Sequence, residues 1–145
     1  YRTADLLPDI RDYSMKGRTY RYCAPENVLY PFGRGLSYAR FRFTQADVTA
    51  EMAAVTIANL SDIPAEDVIQ VYVRGFSEED VPNGSLCGFA RVILRPREEK
   101  RVEIPLPRSA FETVLADGTR KVCGARFGIR ISDGAGAELR REIMI

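Results

Sequence analysis

The sequence predicts an all-β fold, an antiparallel β-sandwich of about seven strands preceded by an extended N-terminal arm. Three observations predict it. Short apolar segments alternate with period two from residue 38 onward, the spacing that places one side-chain set on one face of a strand. Turn signals punctuate these segments every 8–12 residues or so, as in sandwich folds. No long stretch carries the 3.6-residue apolar period of an amphipathic helix.

The elements follow in order. Residues 1–29 carry tyrosine and arginine but few aliphatic residues, so the segment cannot bury itself and needs a surface to lie on. Leu6-Leu7-Pro8-Asp9 and Ala24-Pro25-Glu26-Asn27 read as turns, and Gly17 interrupts any helix between them. Tyr30 to Phe43, YPFGRGLSYARFRF, joins this arm to the β-domain. Pro31, Gly33 and Gly35 turn the backbone there, and the flanking aromatics predict a packed turn. The arm is assigned to residues 1–37 and the sandwich to residues 38–145.

Tyr38 to Phe43 is the first expected strand, with Phe41 and Phe43 on one face. Ala50 to Ala58 alternates through Val55 and Ile57, and Asn59 to Pro64 is a turn that the Asn59 side chain can cap. Asp67 to Arg74 sets Ile69, Val71 and Val73 against Val68, Gln70 and Tyr72, which marks a central strand. Gln70, an amide among apolar neighbours, needs partners, expected on backbone groups at a neighbouring edge.

Gly75 to Ser85 is a polar loop and Leu86 to Leu94 the next strand, where Gly88 permits a bulge or a close backbone approach. Arg95 to Glu99 is a charged turn. Lys100 to Leu106 points Val102, Ile104 and Leu106 inward. Pro107 to Phe111 reads as a single helical turn crossing between sheets. Lys121-Val122 is a short strand, Arg126 to Ile131 a longer one with Phe127, Ile129 and Ile131 inward, Asp133 to Gly136 a hairpin turn and Leu139 to Ile145 the last strand.

Composition excludes several functions. The net charge is +1, from 21 basic and 20 acidic residues, which gives no field for nucleic acid or an anionic membrane. No apolar run approaches the ~18 residues of a membrane span. Cys23, Cys87 and Cys123 are odd in number and widely spaced, so they read as small buried or half-buried residues without a disulfide framework. Unpaired cysteines favour a reducing, cytoplasmic compartment over a periplasmic or secreted one. With no histidine, neither a Ser-His or Cys-His nucleophile nor an ordinary zinc site can be built. No phosphate-binding or dinucleotide-binding glycine motif occurs. No catalytic, cofactor-binding or metal-binding residue is assigned. Glu66-Asp67 and Glu78-Glu79-Asp80 read as solvated charge in loops or at strand edges. The chain starts at Tyr1 and not at Met, which points to a boundary inside a longer polypeptide.

Four ordered blocks carry a resemblance. They are DYSMKGRTYRY (12–22) with LYPFGRGLSY (29–38), NLSDIPAEDVIQVYV (59–73), LCGFARVILRP (86–96) and IPLPRSAF (104–111). Together they resemble the C-terminal fibronectin type III-like domain, with its preceding linker arm, of glycoside hydrolase family 3 enzymes of the β-glucosidase and β-xylosidase type. The absence of tryptophan and of a cysteine pair at immunoglobulin spacing agrees with that label over an antibody-type domain. Ser61, Ala65 and Cys87 depart from the family pattern, at positions expected in turns or at the surface.

The resemblance implies a non-catalytic module whose parent hydrolyses glycosidic bonds with carboxylates upstream of this chain. The module would stabilise the parent's catalytic domains, its partners, and its loops would shape access to their active site. The candidate interdomain contacts are Tyr13, Arg18, Tyr20, Arg21, Tyr22, Tyr30, Phe32 and Tyr38. The alternative is an independent carbohydrate-binding or partner-binding module. For sugar that would require exposed aromatics, with Tyr13, Tyr20, Tyr22 and Phe76 as candidates; otherwise sugar contact belongs to the full enzyme only.

Overall fold

Among the described residues nine strands form: β1 (Phe41–Val48), β2 (Met52–Asn59), β3 (Ala65–Gly75), β4 (Ser85–Leu94), β5 (Glu99–Pro105), β6 (Glu112–Val114), β7 (Arg120–Val122), β8 (Arg126–Ser132) and β9 (Glu138–Met144). They come from a computed structural model that describes Leu7 and residues 9–76, 83–115, 117–122 and 124–145. Seven of them make two antiparallel sheets, of order β1-β2-β5 and β4-β3-β8-β9. β6 and β7 pair as a separate two-stranded ribbon.

The inner faces are the ones the period-two pattern marks. Val55 and Ile57 of β2, Ile69, Val71 and Val73 of β3, and Phe127, Ile129 and Ile131 of β8 are all buried. β3 is central, pairing with β4 on one side and β8 on the other. Phe111, at the end of a 3-10 turn over Arg108–Phe111, closes one end of the core edge-to-face against Phe127, with ring centroids 5.2 Å apart.

The first strand begins at Phe41 and not at Tyr38, which is fully exposed. Two bulges adjust the strands. In β1 the register shifts between Phe43 and Gln45, which turns Ala46 inward after Phe43. In β4, Gly88 faces Val71 and Leu86 faces Tyr72, so Cys87 is the inserted residue. A Cβ on Gly88 would stand 2.7 Å from Ile104 Cγ2, so both expected roles of this glycine hold. Cys87 is therefore a half-buried bulge residue inside a strand, not a turn or surface position. Its thiol lies 3.2 Å from the Val71 carbonyl, and burial pushes its pKa up to about 12. Cys23 is buried; Cys123 lies outside the described residues.

Asn59 is fully buried at the end of β2 and organises the following turn. Its amide donates to the carbonyls of Ile63 (2.8 Å) and Arg95 (3.1 Å), and its Oδ1 accepts from Ser61 N–H (2.9 Å). The Ser61 hydroxyl oxygen accepts from the Arg40 N–H at 2.9 Å, a contact glycine could not make. Ala65 is the first residue of β3 and half-buried.

The 3-10 turn does not carry the chain across to the four-stranded sheet. It leads into β6, a three-residue strand the sequence pattern does not mark, whose turn to β7 is held by Asp117 Oδ1 accepting from Thr119 N–H (2.9 Å) and hydroxyl (2.7 Å). Across the open side of the sandwich, Arg141 Nε of β9 donates to the Ala46 carbonyl of β1 at 3.1 Å, tying the last strand to the first.

Candidate functional site

The outer face of the four-stranded sheet is where the arm meets the domain. Thr19–Tyr22 forms one helical turn after an extended Arg18, which follows the left-handed Gly17, inside a segment expected to lack helix. Asn83 fastens it: its N–H donates to the Arg21 carbonyl (2.6 Å) and its side-chain amide to the Cys23 carbonyl (2.8 Å). Tyr20 then stacks on Phe32 with centroids 4.2 Å apart, and Phe32 meets Tyr72 of β3 edge-to-face at 6.4 Å.

Gly33 lies closest to the sheet. Gln70 Nε2 donates to its carbonyl at 3.3 Å, and the Tyr72 hydroxyl donates to Gln70 Oε1. The partner of the Gln70 amide is thus the glycine turn of the arm, 37 positions earlier, and not a neighbouring strand edge. Only glycine fits: φ is +81°, and a Cβ would stand 2.1 Å from Gln70 Oε1 and 2.6 Å from the Tyr72 hydroxyl. The β8–β9 hairpin closes the same contact. Gly35 N–H donates to the Gly134 carbonyl at 3.1 Å, and a Cβ on Gly134 would stand 1.7 Å from the Gly33 carbonyl oxygen.

Between arm and sheet lies an open groove of about 640 Å³, lined among others by Tyr20, Phe32, Tyr72, Phe76, Arg74 and Arg130. The Arg130 guanidinium sits 4.1 Å from the Tyr72 ring and that of Arg126 lies 4.7 Å from Phe76. Arg130 and Arg126 also reach Glu138 (3.4 Å) and Glu142 (3.7 Å) on β9. The groove joins Tyr20 and Phe76, two of the four aromatics a sugar site would use. Phe32 already occupies a face of the Tyr20 ring.

The other candidate contacts are dispersed. Arg18 turns inward within the arm, donating to the carbonyls of Asp9 (3.1 Å) and Asp12. The Arg21 guanidinium lies 5.8 Å from the Tyr22 ring, and Arg34 lies 4.8 Å from that of Tyr30. Tyr13, Tyr30 and Tyr38 expose most of their surface, and Leu36 beside Tyr38 is almost wholly exposed.

Glu66 and Asp67 stand at the start of β3, the strand edge the sequence predicts, but only Glu66 is exposed. Glu66 pairs with Arg91 on β4. Asp67 is half-buried and its Oδ2 is enclosed without a partner; burial, then the nearby Asp133, raises its pKa to about 6. Asp133 Oδ1 accepts the N–H groups of Ala135, Gly136 and Ala137, each at 2.8 Å, which holds the hairpin turn. Glu78-Glu79-Asp80 lies outside the described residues. Among the described residues no three His, Cys, Asp or Glu side chains gather as a metal site, and no helix is long and apolar enough to cross a membrane.

A second feature of the outer face has no counterpart in the sequence reading. Phe89 and Ile93 on β4 and Val68 on β3 are exposed, large and apolar. The signal was present in the alternation of residues 86–94, whose two faces are both largely apolar.

Comparison with known proteins agrees with this architecture. Residues 67–135 match the model of the fibronectin type III-like domain. The chain is 35% identical over 118 residues to a xylan 1,4-β-xylosidase of Xylanibacter ruminicola, covering 77% of this chain and 14% of the xylosidase. It is 32% identical to the thermostable β-glucosidase B of Acetivibrio thermocellus, covering 63% of this chain and 14% of that enzyme. Among solved structures, a β-glucosidase from Listeria innocua superposes with a TM-score of 0.72 at 26% identity, over 86% of this chain and 20% of the enzyme. A GH3 β-glucosidase from Bifidobacterium adolescentis gives the same TM-score and identity over 80% of this chain and 18% of its own. The chain thus spans about 14% of the length of the two curated relatives it matches here.

Proposed function

We infer that this chain, whose residues 67–135 match the fibronectin type III-like domain, is the non-catalytic C-terminal module of a glycoside hydrolase family 3 enzyme. The parent polypeptide hydrolyses O-glycosyl bonds of the β-glucoside or β-xyloside type. This module stabilises the parent's catalytic domains, and its loops shape the approach to their active site.

The observation that carries this reading is the asymmetry of coverage: most of this chain aligns with a small part of each glycosidase. The chemistry of the chain agrees. A retaining glycosidase needs two carboxylates about 5–5.5 Å apart across the scissile bond. Asp133 spends an oxygen on three backbone N–H groups, and Glu66 is paired with Arg91.

The test is hydrolysis of aryl β-glucoside and aryl β-xyloside by three proteins: this chain, the parent, and the parent truncated before Tyr30. The expected result is no turnover by the chain, turnover by the parent, and lower thermal stability or activity after truncation. Turnover by this chain alone would overturn the reading, as would a truncated parent that behaves like the intact one.

A further inference from the structure

On the reading of this chain as an accessory module, we propose that it docks on the catalytic region of its own polypeptide through the outer face of β3 and β4, with Phe89 at the centre. The stacked aromatics Tyr20 and Phe32 of the arm are not the contact surface in this arrangement.

The argument starts from strand register. Gln70 faces Phe89, Val68 faces Arg91 and Glu66 faces Ile93. Residues opposite each other in an antiparallel pair share a face. This face therefore alternates apolar and polar in both directions, with Phe89 68% exposed, Ile93 63% and Val68 38%. The inward neighbours Val92 and Leu94 already belong to the core, so these three side chains contribute nothing to it. The outer face of a sandwich strand is ordinarily polar, and three large exposed apolar side chains at diagonal, neighbouring positions of one face mark an interaction site.

The occupant follows from continuity and charge. Over β3 and β8 the same outer face is covered by the chain's own arm, through Phe32 and Gly33 on Tyr72 and Gln70. The bare half begins at the next position: Gln70, which holds the arm, is directly opposite Phe89. The arm turn and this patch are therefore neighbouring parts of one sheet face. The one cation within it, Arg91, is paired with Glu66, so the face has no net charge and suits an apolar surface, not an anion. Most of the length of the glycosidase relatives lies outside the region matched by this chain, and the catalytic region of the same polypeptide is the occupant this length offers. The aromatics Tyr20 and Phe32 are stacked on each other against the domain itself.

The experiment compares Phe89→Asp in this chain and in the full-length parent. In this chain the substitution replaces an exposed side chain, so the melting temperature should stay within about 2 °C of wild type. In the parent the same substitution should lower the melting temperature clearly and raise the rate of proteolysis at Arg34 and Arg40 severalfold, with radical labelling of wild-type Phe89 severalfold slower in the parent than in this chain. A parent carrying Phe89→Asp that melts and resists proteolysis like wild type, with Phe89 labelled equally in both proteins, overturns the proposal. So does a concentration-dependent dimer of this chain that Phe89→Asp abolishes, because the occupant would then be a second copy. Deletion of residues 38–145 from the parent separates the two levels. A harmless deletion sinks the accessory role itself; a damaging deletion with a harmless Phe89→Asp sinks only this face.

Discussion

The side-chain amide of Gln70, in the middle of the central strand, donates to the carbonyl of Gly33 at 3.3 Å. This bond joins the arm to the central strand, beside those from Asn83 and to Gly134, and the Tyr72 hydroxyl supports it by donating to the same Gln70 side chain. The polar residue in an apolar strand is the anchor of the preceding segment.

Replacing Gln70 by Leu should release the arm without unfolding the sandwich. A hydrogen bond of this kind is worth about 0.5–1.5 kcal/mol net, so the global stability loss is of that order. Trypsin cleavage at Arg18, Arg21 and Arg34 should accelerate severalfold while the strands stay protected from hydrogen exchange. Unchanged cleavage would show that Gln70 does not hold the arm.

Gly134→Ala and Gly118→Ala differ in one respect. Both glycines have positive φ, +73° and +83°, but a Cβ on Gly134 meets the Gly33 carbonyl oxygen at 1.7 Å, while one on Gly118 meets nothing within 4 Å among the described residues. Gly118→Ala should cost only the left-handed backbone strain, about 1–2 kcal/mol. Gly134→Ala should cost that plus displacement of the arm turn, at least ~1 kcal/mol more. Urea unfolding of the two variants measures the difference, and equal losses would count against the close approach.

Asn59→Ala removes a buried side chain that makes three hydrogen bonds to backbone groups. Leaving those groups unpaired should cost about 2–4 kcal/mol. Asn59→Asp should do no better, since it sets a carboxylate against the Ile63 and Arg95 carbonyls. A melting temperature within about 2 °C of wild type for either variant would contradict this account.

The chain should lose stability as pH rises from 4 to 6, owing to Asp67. Its carboxyl titrates near 6 when folded, because burial disfavours the charged form, against an ordinary 3.8. The folded state therefore holds the proton more tightly. The stabilisation is fully present below 3.8 and is lost as pH passes through 6. Asp47, Asp62 and Asp117 are shifted the other way, by Arg101, Arg97 and Thr119 respectively, so their contribution fades only in more acidic solution. Asp67→Asn should flatten the 4-to-6 slope in urea midpoints and stabilise the chain at pH 7. A slope that survives the substitution belongs to another group.

Much of the fold was legible because it is written locally. Period-two alternation marks β1 to β5, β8 and β9, since each has an inner face that must be apolar. β6 was not legible: Glu-Thr-Val is too short to show a period, and its pairing with β7 is set by the turn between them. The partner of Gln70 was not legible either. Nothing within 30 positions identifies it, and the choice between a strand edge and an arm turn depends on where a distant segment lies. The same holds for the arm, whose tyrosines looked alike as letters. In the structure Tyr20 is stacked against the domain while Tyr13 stands in solvent. The docking half of the outer sheet face was visible only as an apolar run, because a strand apolar on both sides reads as interior.

The bond from Arg141 to the Ala46 carbonyl spans 95 positions, and it sets the order in which the domain can be completed. A chain leaving the ribosome N-terminus first presents β1 and β2 with their inner faces apolar long before β9 is available. Contacts of this sequence separation make folding slow, since loop-closure entropy is lost before they form. The sandwich is therefore finished only after its last strand has emerged. A nonsense or frameshift change between β8 and residue 138 should leave β8 as an open edge of its sheet, which makes truncated products prone to aggregation in addition to being unstable.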